Sequence, residues 1–142
     1  MKHIQTLILM AATCFTANAQ LVVKVIDGDT YKVLLNGKLK NVRLVNVDAP
    51  ELDQYFGIAA RDSVAKLIQG FFITLKLHRS DIYGRTIVSA TYKGRSLDSL
   101  LIAKGWACFY NSYSKNTDFK YCEAAARLKG LGIWKCAHPV PP

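Results

Sequence analysis

Residues 21–51 read LVVKVIDGDTYKVLLNGKLKNVRLVNVDAPE, and the order of events in this stretch sets the architecture. Leu21 to Ile26 and Thr30 to Leu35 are β-branched, apolar runs separated by Asp27-Gly28-Asp29, which reads as a turn between two strands. Asn36-Gly37 is a strong short hairpin signal, because both residues accept the positive φ that a tight turn requires. A third strand, Leu39 to Val47, follows and completes a three-stranded meander. Pro50 then stops it, since proline lacks the donor that a ladder needs and restricts the residue before it.

Downstream, Ala60, Val64, Leu67 and Ile68 recur at helical spacing, so Gly57 to Gln69 is expected to form an amphipathic helix ended by Gly70. Phe71 to His78 and Thr86 to Tyr92 read as two further strands, and Ser96 to Lys104 as a short helix. Trp106 to Tyr110 can extend the sheet, Asn111 to Thr117 is a polar loop, and Asp118 to Lys129 is a last helix closed by Gly130. Three strands, a helix and two strands is the order of an OB-fold barrel, a fold whose strands and loops bind oligonucleotides. A short antiparallel sheet with helices on one side shares the pattern.

The chain has 142 residues and a formal charge of +9, from 19 Lys and Arg against 10 Asp and Glu. That length holds one domain. With 51% hydrophobic and 20% charged residues, the composition excludes a disordered chain, so the positive charge belongs to a folded surface and points to an anionic partner. Lys2 and His3 precede an apolar run, Ile4 to Ala12, and then Ala17-Asn18-Ala19, a small-x-small pattern. Residues 1–19 are therefore expected to be a signal peptide, its apolar run being shorter than the ~20 residues of a bilayer span. Cleavage after Ala19 removes Lys2 and lowers the charge to +8, leaving a domain over 20–135 and an extended, proline-rich tail over 136–142. The expected destination is secreted or periplasmic, without a stable membrane anchor. Cys108, Cys122 and Cys136 remain, enough for one disulfide in any of three pairings or for none, and their spacing lacks a zinc-binding pattern.

The acids are few enough to follow singly. In a meander the turn after the first strand and the end of the third lie at one edge, so Asp29, Asp48 and Glu51 converge there. Convergent carboxylates repel unless a cation sits among them, and hard oxygen donors suit calcium or magnesium. Taken alone, Asp27-Gly28-Asp29 is no more than a hairpin turn. Arg43, on the third strand, and Arg85, after Tyr83-Gly84, offer planar forks suited to a phosphate.

Three motifs in order, Val25-Ile26-Asp27-Gly28-Asp29-Thr30, then Val42-Arg43-Leu44-Val45-Asn46-Val47-Asp48-Ala49-Pro50-Glu51, then Asp81-Ile82-Tyr83-Gly84-Arg85, carry a resemblance across essentially the whole expected mature chain. On these residues the sequence resembles the thermonuclease, or staphylococcal nuclease-like, family. Weaker support comes from Ser96-Leu97 through Gly105-Trp106-Ala107, and from Glu123 to Arg127 leading to Gly132-Ile133-Trp134. The resemblance implies an α+β, mainly β domain: an OB-fold, five-stranded Greek-key barrel with about three helices. It implies Ca2+ held by Asp29, Asp48 and the backbone carbonyl of Ala49, with Glu51 positioning or deprotonating the attacking water. Arg43 and Arg85 would bind the phosphate and stabilise its growing charge. Tyr83 would line the nucleotide pocket, with Tyr110 or Tyr113 as its partner. Ile82 departs from the family, where a lysine often stands. The activity implied is sugar-nonspecific hydrolysis of DNA and RNA to 3′-phosphate products, single strands favoured, by a monomer.

Overall fold

The computed structural model describes residues 19–110, 116–136 and 142. Strand β1 (Ala19–Val25) turns into β2 (Thr30–Leu35), and Asn36-Gly37, at φ 50° and 74°, returns the chain as β3 (Lys38–Leu44). Positive φ at both positions gives the hairpin twist that matches the flanking strands. Next come β4 (Val47–Asp48), helix α1 (Gly57–Ile68), β5 (Phe72–Ser80) and β6 (Thr86–Tyr92). The chain ends through β7 (Arg95–Ser96), α2 (Leu97–Lys104), β8 (Cys108–Phe109), α3 (Thr117–Leu128) and a 3-10 turn (Gly132–Lys135).

Neighbouring strands run in the order β3-β2-β1-β5-β6, and β3 also pairs with β6 in parallel, Val42 with Thr86 through Leu44 with Val88. That last pairing closes a five-stranded barrel and excludes an open sheet covered on one side. Alternation explains the core. Val22, Val25, Tyr31, Val33, Val42, Leu44, Ile73, Val88 and Ala90 point inward and are buried, joined by Val64 and Ile68 of α1 and Leu97, Leu101 and Ile102 of α2. Each fully buried side chain of this size contributes roughly 1.5–3 kcal/mol of burial. A smaller core of Cys108, Ala126, Ile133 and Trp134, with Phe56 against it, ties α3 and the 3-10 turn to the loop before α1.

Three details differ from the sequence-based expectation. The third strand does not continue to Val47: it stops at Leu44, and Val47-Asp48 pairs separately with Phe109 and Cys108. The amide of Tyr110 donates to the carbonyl of Asn46 at 2.8 Å, so the bend at Val45-Asn46 is set by a partner more than sixty residues away. For the same reason Cys108-Phe109 joins β4 and does not extend the barrel. Strand β5 runs past His78 to Ser80, which brings Arg79 and Asp81 toward the end of β3.

Cys108, Cys122 and Cys136 are free thiols, buried, half-buried and exposed in that order. Among the described residues no helix is long and apolar enough to cross a membrane. The expected signal segment, except Ala19, lies outside the described residues, as do Tyr113 and all of the expected tail but Cys136 and Pro142.

Candidate active site

The turn between β1 and β2 is built by Asp27. Its Oδ1 accepts hydrogen bonds from the amides of Asp29 (3.0 Å) and Thr30 (2.8 Å), so this carboxylate serves the turn itself. Gly28 then allows a close approach: a Cβ there would lie 2.6 Å from the Cβ of Ala49. Through that approach the amide of Ala49 donates to Asp29 Oδ2 at 2.9 Å, while Thr30 Oγ1 donates to Asp29 Oδ1 at 2.9 Å. Asp29 is buried, at 2% exposure.

Arg43 reaches across from β3, where it is the register partner of Thr30. Its Nη2 lies 3.3 Å from Asp29 Oδ2 and 2.5 Å from Asp48 Oδ1. Two carboxylates from different segments thus face one nitrogen. Burial pushes the Asp29 carboxyl up to about 7, although Arg43 and the Ala49 amide pull it down. Burial works against the Arg43 charge as well, but Asp29 and Asp48 outweigh it and hold the guanidinium above its ordinary value.

Arg43 and Asp48 open on a cleft of about 450 Å³ whose other polar lining is Arg79, Asp81, Tyr83, Arg85 and Tyr110. Arg85 is fixed by Asp81, whose Oδ2 accepts from Arg85 Nε at 2.7 Å. The Oδ1 of the same carboxylate accepts from the amides of Tyr83 and Arg85, both at 2.9 Å, so one side chain shapes the loop and aims the guanidinium. Burial disfavours its charge, but Arg85 and these amides outweigh burial and hold the Asp81 carboxyl below the usual range. The Arg85 guanidinium lies 5.3 Å from the centre of the Tyr83 ring, which is 77% exposed at the rim.

The fold thus brings Arg43, Asp48, Tyr83, Arg85 and Tyr110 to one cleft, with Asp29 and Ala49 behind Arg43. Glu51 lies on the exposed turn after Pro50, three residues along the chain from Asp48, where its amide donates to Gln54 Oε1 at 2.7 Å; it is not among the described residues lining the cleft. Two lining residues have no counterpart in the sequence reading. Asp81 was legible only as part of a motif, though its i+2 and i+4 spacing to Tyr83 and Arg85 is that of a side chain capping its own turn. Arg79, on a polar strand end, gives no sequence signal.

Among the described residues no three His, Cys, Asp or Glu side chains close on one point. A smaller, oxygen-only set is present: Asp29 Oδ2 and Asp48 Oδ1 converge on a single cationic nitrogen. These donors fit a hard divalent cation completed by water and backbone oxygen. Two guanidinium groups and flanking tyrosine rings suit a phosphodiester: charge for its oxygens, rings for an adjoining base.

Comparison with known proteins agrees with this chemistry. A family model described as Staphylococcal nuclease homologue matches residues 41–136. A protein of Escherichia coli named "Uncharacterized endonuclease" is 35% identical over 123 residues, covering 85% of this chain and 80% of the relative. A Shigella flexneri protein named "Micrococcal nuclease" is 35% identical over 125 residues, covering 80% of this chain and 71% of the relative. The Arabidopsis thaliana "Staphylococcal-like nuclease CAN1" is 29% identical over 101 residues, 71% of this chain but 31% of that longer protein.

Proposed function

The chain belongs to the staphylococcal nuclease homologue family and is a nuclease, and from that premise we propose a secreted, Ca2+-dependent enzyme that hydrolyses both DNA and RNA. The observation that carries the reading is the meeting of Arg43, Asp48 and Arg85 in one cleft, with Asp29 buried behind them.

In the proposed reaction the phosphate enters between Arg43 and Arg85. Water attacks phosphorus, Glu51 takes its proton, and the bond to the 5′-oxygen breaks, leaving a 3′-phosphate; the departing oxygen takes a proton from solvent water, and Glu51 returns its proton to solvent. Phosphorus gathers negative charge as the water oxygen adds, and preorganised guanidinium forks stabilise that charge where it grows. Asp81 keeps Arg85 from having to order itself at the moment of reaction. Asp29, Asp48 and the carbonyl of Ala49 would hold calcium, which would supply positive charge beside the phosphate. Arg43, held by Asp29 and Asp48 at the cleft, is placed to present its remaining donors to a phosphate oxygen. Tyr83 and Tyr110 flank the adjoining base, an arrangement that suits an unpaired strand and tolerates any base. The protein acts as a monomer.

Incubation of the full chain with heat-denatured DNA, or with RNA, in calcium or in chelator tests this. Degradation to 3′-phosphate ends in calcium, and none in chelator, is expected. Nucleic acid that stays intact in calcium while a gel still shows binding would overturn the catalytic reading. Export is tested separately by sequencing the extracytoplasmic protein, whose N terminus should be Gln20. Loss of Ala19 removes only the outermost register pair of β1 with β5, Ala19 with Thr74.

A further inference from the structure

Beyond the cleft, the outer face of the barrel carries side chains in register with Arg43. Val25, Tyr31 and Val42 form a paired row that points into the core. The adjacent row, Lys24, Lys32 and Asn41, therefore faces outward. Two residues further along β2, Leu34 pairs with Leu21 on one side and Leu39 on the other, and Leu21 pairs with Phe72. This last row is apolar and open to solvent: Phe72 is 63% exposed, Leu39 57% and Leu34 39%. On β2 the sequence of rows is Thr30, whose partner is Arg43, then Lys32, then Leu34, a length of roughly 13 Å.

We propose that this face is a track for a single strand of nucleic acid leaving the cleft, with Lys24 and Lys32 on its phosphates and the Phe72 ring, flanked by the leucines, under one of its bases. The proposal rests on the nuclease reading of the cleft and names where the rest of the substrate lies. Three observations select this occupant. The rows are continuous with Arg43. Their charge is positive, which suits phosphates and repels a second copy of the same face. Their far end offers an aromatic ring, which a strand can use only if its bases are unpaired.

The test uses the full chain, a fluorescent oligothymidylate of about 16 nucleotides bound in chelator, and a nitrophenyl phosphodiester of a single thymidine cleaved in calcium. The double variant Lys24→Gln/Lys32→Gln should raise the oligonucleotide Kd about tenfold at low salt. It should also flatten the slope of log Kd against log salt by about 1.4, two phosphate contacts on a single strand. Phe72→Leu, which keeps an apolar side chain but removes the ring, should raise Kd about fivefold with no change in the salt slope. All three substitutions should leave turnover of the single-thymidine ester unchanged, because it does not reach the track. Wild-type cleavage of both substrates together with unaltered Kd and slope in the variants would overturn the track alone. A wild-type dimer that Phe72→Leu dissociates, with oligonucleotide Kd unchanged, would overturn it in favour of a contact between copies. Failure of the wild type to cleave either substrate would overturn the nuclease reading itself.

Discussion

Replacing Asp29 by Asn should leave the metal-free protein inactive and more stable. In the folded chain burial lifts the Asp29 carboxyl from an ordinary 3.8 to about 7, so folding must expel or tolerate a charge that water accommodates freely. A group held above its unfolded value binds its proton more tightly when folded, so stability falls as pH rises from 3.8 and the loss is complete above about 7. At 1.36 kcal/mol per unit, a shift of this size costs up to about 4 kcal/mol at pH 8. Asparagine nearly preserves the shape. Its oxygen can accept from the Ala49 amide, its NH2 can donate to Thr30 Oγ1, and Arg43 retains Asp48. Urea denaturation of both proteins in chelator, at pH 8 and at pH 4, measures the difference. The variant should gain ~2 kcal/mol or more at pH 8 and little at pH 4, while calcium should stabilise the wild type and not the variant. A variant no more stable than wild type at pH 8, or equally stabilised at both pH values, would show that the buried Asp29 charge is not what costs stability.

Other substitutions probe the remaining parts of the cleft. Arg43→Lys keeps the charge but cannot span two carboxylates or fork around a phosphate, and cleavage of denatured DNA should fall on the order of 10². Asp81→Asn can still cap its own turn through one oxygen, but presents an NH2 to Arg85 Nε. Activity should fall about tenfold or more, with stability altered by less than about 1 kcal/mol in the same urea assay. Gly28→Ala sets a methyl group 2.6 Å from the Ala49 Cβ. It should cost ~1–3 kcal/mol and raise the calcium concentration needed for half-maximal cleavage.

The sequence exposes the barrel because alternation, the Asn36-Gly37 turn and the stop at Pro50 are local signals that tertiary structure reinforces. Counting strand directions alone brings Asp29, Asp48 and Glu51 to one edge; Asp29 and Asp48 do meet there, at Arg43, while Glu51 lies on the exposed turn beyond Pro50. The break at Val45-Asn46 could not be read. Val45 and Val47 are strong strand formers, and only the pairing of Val47-Asp48 with β8 decides where the ladder changes partner. The bracing of Arg85 by Asp81 depends on a short turn, visible as spacing once its purpose is known. Arg79 reaches the cleft because β5 runs two residues further than its polar end suggests. Lys24, Lys32 and Phe72 are ordinary surface residues until the register places them beside one another.

The parallel pairing of β3 with β6 has a kinetic consequence. It joins residues 42–44 to 86–88 across α1 and β5 and is the pairing that shuts the barrel. Such non-local contacts slow folding, because the intervening chain must lose its freedom before they repay the loss. Arg43 and Ile87 are themselves a register pair at this seam, with Arg85 two residues before it. The two arginines therefore come together only when the seam shuts. With the β1–β2–β3 meander formed and the seam open, a chain would hold β-structure without bringing Arg43 to Arg85. Recovery of activity during refolding should then lag behind recovery of β-structure and report the final closure of the barrel.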